Sequence, residues 1–158
     1  MNKIRTIVII PFLVIIFFVT ACSYQKMNSI DQKKFFIQEF EINGDTRESF
    51  IIQKKIKRFS NENSTNKIKM LINLTKGKTI KEKNIQNKVT KYNLSLSADV
   101  KIIELNTARE IKRTFVANQT YDVDDNYSNT LNNLKSANNT LIDKIIDEIL
   151  DQLRIYYN

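Results

Sequence analysis

The sequence predicts an α+β protein, a two-layer sandwich in which a four-stranded sheet is covered on one face by two helices in the order β-α-β-β-β-α. Three observations carry that expectation. In "VTKYNLSLSADVKI" the residues Tyr92, Leu94, Leu96, Ala98, Val100 and Ile102 alternate with Lys91, Asn93, Ser95, Ser97, Asp99 and Lys101, the period of a strand with one face on a core. Ile52, Ile56 and Phe59 fall at i, i+4 and i+7, the period of a helix with one apolar stripe. From 126 to 156 a helical period returns, with Leu131, Leu134, Leu141, Ile145, Ile149 and Leu153 on one side and Ile142, Ile146, Leu150 and Tyr156 widening it. A sheet that is apolar on one face has to bury it, and two amphipathic helices supply the second layer.

The remaining elements follow in chain order. "KFFIQEFEI" is aromatic and β-branched enough for a strand from 35 to 42, with Phe36, Phe40 and Ile42 expected on one face and Gln38 interrupting the pattern. Asn43 and Gly44 make a turn, Asp45 is placed to cap the helix that follows, and Glu48 stands three residues later, as in a capping box. Residues 60–66, "SNENSTN", read as a loop. In "KIKMLINLT" Ile68, Met70, Ile72 and Leu74 alternate as a second strand. "KGKTIKEKNIQNK", 76–88, is compatible with an extension of that strand or with a mobile basic loop. Residues 103–109 form a turn, and "EIKRTFVANQTY" returns with Ile111, Phe115 and Ala117 on the face that also carries Arg113, which marks either the end of the core face or a bulge. "DVDDNYSN", 122–129, is an acidic connector without the central Gly or the twelfth-position Glu of a calcium loop. In the last helix the Asn-rich "NNLKSANN" is the expected weak point.

At the other end, Lys3 and Arg5 precede an uncharged apolar run from Ile7 to Val19, too short for the roughly 20 residues of a spanning helix and suited to the core of a signal peptide. The single cysteine, Cys22, follows at once. It is open to three readings: a small buried hydrophobe, a nucleophile, or a processing point. Val19-Thr20-Ala21-Cys22 resembles the bacterial lipobox, with an apolar residue three before the cysteine and a small one directly before it. That resemblance implies a signal peptide at 1–21, a lipidated N-terminus and tether at 22–34, and a domain at 35–158. Ser23 in place of Asp implies sorting to the cell outer membrane, with the domain on the periplasmic side. An uncleaved membrane helix would be the alternative for residues 1–21.

The 158-residue chain has no His, no Trp and one Cys, and carries a formal charge of +8. Intramolecular disulfides, zinc sites built from Cys and His, and Ser-His-Asp or Cys-His nucleophiles are therefore excluded. No acidic pair stands in a pocket-forming motif, so no enzyme, metal or cofactor is expected. The positive charge fits an anionic partner. Nucleic acid is not the expected one in an exported, lipidated chain whose aromatics look mostly like core.

Taken together, "ACSYQ", "FIQEFEINGDTRESFIIQKKIKRF", "VTKYNLSLSADVKIIEL" and "VANQTYDVDDNYSNTLNNLKSANNTLIDKIIDEILDQLRIYY" are similar in order and spacing to the lipopolysaccharide-assembly lipoprotein LptE family, in its alphaproteobacterial form, over residues 19–157. The resemblance implies a non-enzymatic plug in the lumen of the outer-membrane β-barrel LptD, which helps that barrel fold and binds lipopolysaccharide on its way to the outer leaflet. It also implies basic residues on the lipid A phosphates. Lys91, in "TKY", matches an arginine found before an aromatic residue in the family; lysine keeps the charge and loses the bidentate fork. The alternation puts Lys91 and Lys101 on the polar sheet face, with Lys112 and Arg113 on the neighbouring strand, and these four are the candidate lipopolysaccharide contacts, each with ordinary solvation as its alternative. A periplasm-facing adaptor for a cell-wall enzyme or secretion complex is the second functional reading.

Overall fold

The computed structural model describes residues 34–157. The expected signal peptide, Cys22 and the tether up to residue 33 lie outside the described residues. The elements are β1 (Phe36–Asn43), α1 (Thr46–Lys57), β2 (Lys67–Lys83), β3 (Val89–Glu104), β4 (Glu110–Asp122) and α2 (Tyr127–Tyr157). The four strands lie side by side in the order β1-β2-β3-β4. β1 runs parallel to β2, as the helical crossover α1 permits, and the other neighbours are antiparallel hairpins. Both helices pack on one face: α2 on β3 and β4, α1 on β1 and against α2.

The alternation seen in the sequence is the reason for this layering. Ile68, Met70, Ile72, Leu94, Leu96, Ala98, Val100 and Ile102 are buried on the helix side of the sheet. They meet Ile52 and Ile56 from α1 and Leu141, Ile145, Ile149 and Leu153 from α2. α2 is a continuous helix of 31 residues, about 46 Å long at 1.5 Å per residue. The Asn-rich segment does not interrupt it. Ala137 is buried there, and Asn133 spends its side-chain amide on the Asp122 carbonyl, so the segment is tied to the end of β4.

Local chemistry sets the element ends. Asp45 caps α1 by accepting from the backbone of Arg47 at 3.0 Å and of Glu48 at 3.4 Å. Glu48 does not complete a capping box. Its carboxylate is buried and pairs with Lys76 of β2. In β1 a bulge at Gln38 shifts the register between Ile37 and Glu39. Phe35 and Ile37 are therefore the buried residues at this end, and Phe36, expected beside Phe40 and Ile42 on the core face, is not among them.

The segment 76–88 resolves in favour of the strand. β2 continues to Lys83, and a tight turn at 84–88 joins it to β3. Asn84 builds that turn: its side chain accepts from Gln86 N at 3.0 Å and Lys88 N at 2.9 Å, and Asn87 adopts φ 64°. β1 pairs with β2 only as far as Asn73, so the second half of β2 has β3 alone as a neighbour.

Candidate functional site

In antiparallel pairs, directly opposed residues point to the same side. The register therefore defines the uncovered face of the sheet row by row. Starting from the end where β1 begins, three rows carry charge: Lys69, Ile103 and Glu110; Leu71, Lys101 and Lys112; Asn73, Asp99 and Thr114. Three rows then follow with no charged side chain at all: Thr75, Ser97 and Val116; Gly77, Ser95 and Asn118; Thr79, Asn93 and Thr120. Lys91 and Asp122 close the face at the hairpin end. At about 3.4 Å per residue the three neutral rows extend about 14 Å along the strands.

The charges at the first end are organised as pairs. Lys69 lies 2.8 Å from Glu39 and 2.6 Å from Glu41, and the hydrogen bonds it donates to these two carboxylates, Glu39 first, hold its pKa above the ordinary lysine value. Lys101 lies 2.7 Å from Glu110, and Lys112 lies 3.8 Å from the same carboxylate. Asp99 accepts from Thr114 Oγ1 at 2.6 Å. Lys101 and Lys112 are opposed cross-strand neighbours that share one carboxylate, which leaves an excess of positive charge between them. They line an open depression of about 640 Å³ together with Leu71, Asn73, Asp99, Val100, Arg113 and Thr114.

The other two sequence candidates stand elsewhere. Lys91 shares the open face with Lys101, but ten residues of strand separate them by about 34 Å, so they cannot contact one headgroup. Lys91 is also occupied, 3.3 Å from Glu82 and 3.5 Å from Asp122, and the Glu82 hydrogen bond is the main cause of its raised pKa. Arg113 opposes Val100 and so belongs to the helix side; its guanidinium donates to Tyr156 Oη at 3.3 Å. No bulge shifts β4 at this position. The structure thus joins Lys101 with Lys112, separates Lys91 from them, and engages the Arg113 guanidinium with Tyr156 on the helix side. Sequence reasoning missed the neutral rows, although Asn93, Ser95 and Ser97 stand at the outward positions of "NLSLS" and were visible as such.

The Lys101 pair has a pH signature. Lys101 holds the Glu110 carboxyl below its ordinary value of 4.5. A carboxyl whose folded pKa is lowered adds stability that is complete above the unfolded value and is lost as pH falls through the lower folded one. Urea midpoints measured between pH 7 and pH 3 should therefore fall further for the parent than for Glu110→Gln. The difference is small because both side chains are solvated.

Among the described residues there is no cluster of three or more His, Cys, Asp or Glu that could hold a metal ion. No helix among them is long and apolar enough to cross a membrane.

No family model matches the chain, and no curated protein matches it in sequence. Solved structures do. The rare lipoprotein B of Shewanella oneidensis superposes with a TM-score of 0.55 at 9% identity, covering 73% of this chain and 92% of that one. The uncharacterized lipoprotein B of Nitrosomonas europaea gives a TM-score of 0.53 at 12% identity over 79% of this chain and 86% of that one. The two-layer α+β sandwich of this chain is thus a fold that bacterial lipoproteins adopt.

Proposed function

We propose that this chain is a non-enzymatic, lipid-anchored accessory protein of the outer membrane, a plug in the lumen of a β-barrel as the resemblance to the LptE family implies, that seats its open sheet face against the barrel wall, helps the barrel assemble and passes lipopolysaccharide toward the outer leaflet. The observation that carries the reading is the neutral centre of the face. Ser, Thr, Asn and Gly side chains exchange water for new hydrogen bonds at low cost, whereas buried charges need partners built for them. The lumen of an outer-membrane barrel is polar, so such a face can be desolvated against it without an apolar patch. The lipobox at Cys22 and a fold shared with bacterial lipoproteins support the same reading.

Lipopolysaccharide contact is assigned to Lys101 and Lys112, because two ammonium groups around one carboxylate leave room for an anionic phosphate. Lys101→Glu combined with Lys112→Glu should weaken lipopolysaccharide binding by about tenfold or more at low salt, and Lys91→Glu should change it by less than about threefold. Equal losses from both would contradict that assignment. The partner is tested by affinity isolation of the full chain from detergent-solubilised membranes. Recovery of an outer-membrane β-barrel supports the proposal. Recovery of a cell-wall enzyme or secretion complex without a barrel supports the adaptor reading instead.

A further inference from the structure

The helix layer holds a second site, on the side of the molecule away from the open sheet face. A groove of about 260 Å³ lies between α1 and α2. Ile51 from α1 and Leu131, Leu134 and Ile142 from α2 supply its apolar lining, and Asn138 and Asn139 add two neutral amides. Arg47 and Lys135 stand at its rim, and neither has an ion-pair partner among the described residues. The acidic groups nearby are already engaged. Glu48, which also lines the groove, pairs with Lys76, and Asp45 accepts two backbone hydrogen bonds at the start of α1. Lys55 and Asp143 pair across the two helices elsewhere along their contact. Leu131 is 44% exposed, so part of the apolar wall faces water in the free protein.

We propose that this groove binds one unbranched acyl chain that ends in an anionic head, a carboxylate or a phosphate. The volume lies just under the roughly 300–1,000 Å³ of pockets that enclose drug-sized ligands, which suits a single chain and excludes a multiply acylated one. Leu131, Leu134 and Ile142 follow one another along α2 opposite Ile51, which suits a chain of methylenes. The two uncompensated cations select the sign of the head. A second protein is a poor occupant, because a stable interface needs at least about 1,000 Å² of buried surface, far more than this groove presents. The inference does not depend on the barrel: it concerns other residues on the opposite layer.

The test uses the full chain in lipid nanodiscs and two photoreactive ten-carbon probes, one a fatty acid and one an alkyl trimethylammonium. After irradiation, mass spectrometry locates the adducts. The fatty acid should label peptides containing 47–51 and 131–142. Arg47→Glu combined with Lys135→Glu should reduce that labelling roughly two- to thirtyfold, the range expected for losing two solvated charge contacts, and should not reduce labelling by the cationic probe. Both positions are exposed, so the fold survives the change, and an unaltered thermal transition verifies it. Equal labelling by the two probes, adducts on the open sheet face in place of the groove, or no adducts above those of the bilayer alone would overturn the proposal.

Discussion

Ile145→Ala should lower the unfolding free energy of this domain by about 2–5 kcal/mol, read from urea or guanidinium denaturation with an unchanged m-value. Ile145 is fully buried at the middle of α2, within the cluster that also holds Leu141, Ile149 and Leu153. Removing its three outer carbons loses their transfer from water and leaves a cavity that the long helix cannot collapse into, because α2 is fixed against β3 and β4 along its length. Domains of this size are stable by roughly 5–15 kcal/mol, so the variant loses a large share of the total. The open face contributes nothing to this cluster. A loss below about 1 kcal/mol would mean that α2 does not pack on the sheet as described.

A comparable loss, about 2–5 kcal/mol, is expected for Gly44→Ala at the corner between β1 and α1. Gly44 has φ 139°, a conformation that side-chain-bearing residues rarely adopt, and a Cβ placed on it would come 2.7 Å from Leu74 Cβ and 3.2 Å from the Leu74 carbonyl. Both the strain and the clash act on the point where the chain leaves β1 and enters α1, so relief would move the helix. Gly77 is the internal control. A Cβ there meets Ser95 Oγ at 2.4 Å, but that hydroxyl sits on a rotatable side chain, and its rotation removes the clash. Gly77→Ala should therefore stay within about 1 kcal/mol of the parent, where the gain of replacing a strand glycine offsets the adjustment.

Sequence and structure agree where burial is one-sided. β3 was legible from 92 to 102 because every second residue meets α2 or its neighbours and the others meet water. The period disappears where that contrast ends. Beyond Leu74 the helix-side positions of β2 are Lys76 and Lys78, which satisfy Glu48 and lie over the Tyr92 ring with Nζ 3.8 Å from its centroid. A lysine whose head is paired or lies over a ring takes the place of an apolar residue there and erases the period. Simple alternation puts Phe36 on the face of Phe40 and Ile42, and the bulge at Gln38 inverts the faces before it.

The candidate site was legible in part. Its face is legible for Lys91 and Lys101, since alternation alone decides it. The distance between Lys91 and Lys101 followed from the rise of a strand and could have been drawn from the sequence. The sharing of Glu110 by Lys101 and Lys112 could not, because it depends on the register of β3 against β4. The groove between Arg47 and Lys135 was equally hidden, as nothing in either helix states which turns of the two face each other.

The central claim is that the neutral rows of the open sheet face are the surface that meets a membrane β-barrel. The direct measurement is site-specific photo-crosslinking in intact cells, with a photoreactive residue placed at Ser95, in the middle of the neutral rows, or at Asp147, on the exposed side of α2. The expected result is an adduct between the Ser95 position and an outer-membrane β-barrel, with none from Asp147. A barrel adduct from Asp147 alone, or no barrel adduct from Ser95 in cells where the full chain is present at the membrane, would contradict it.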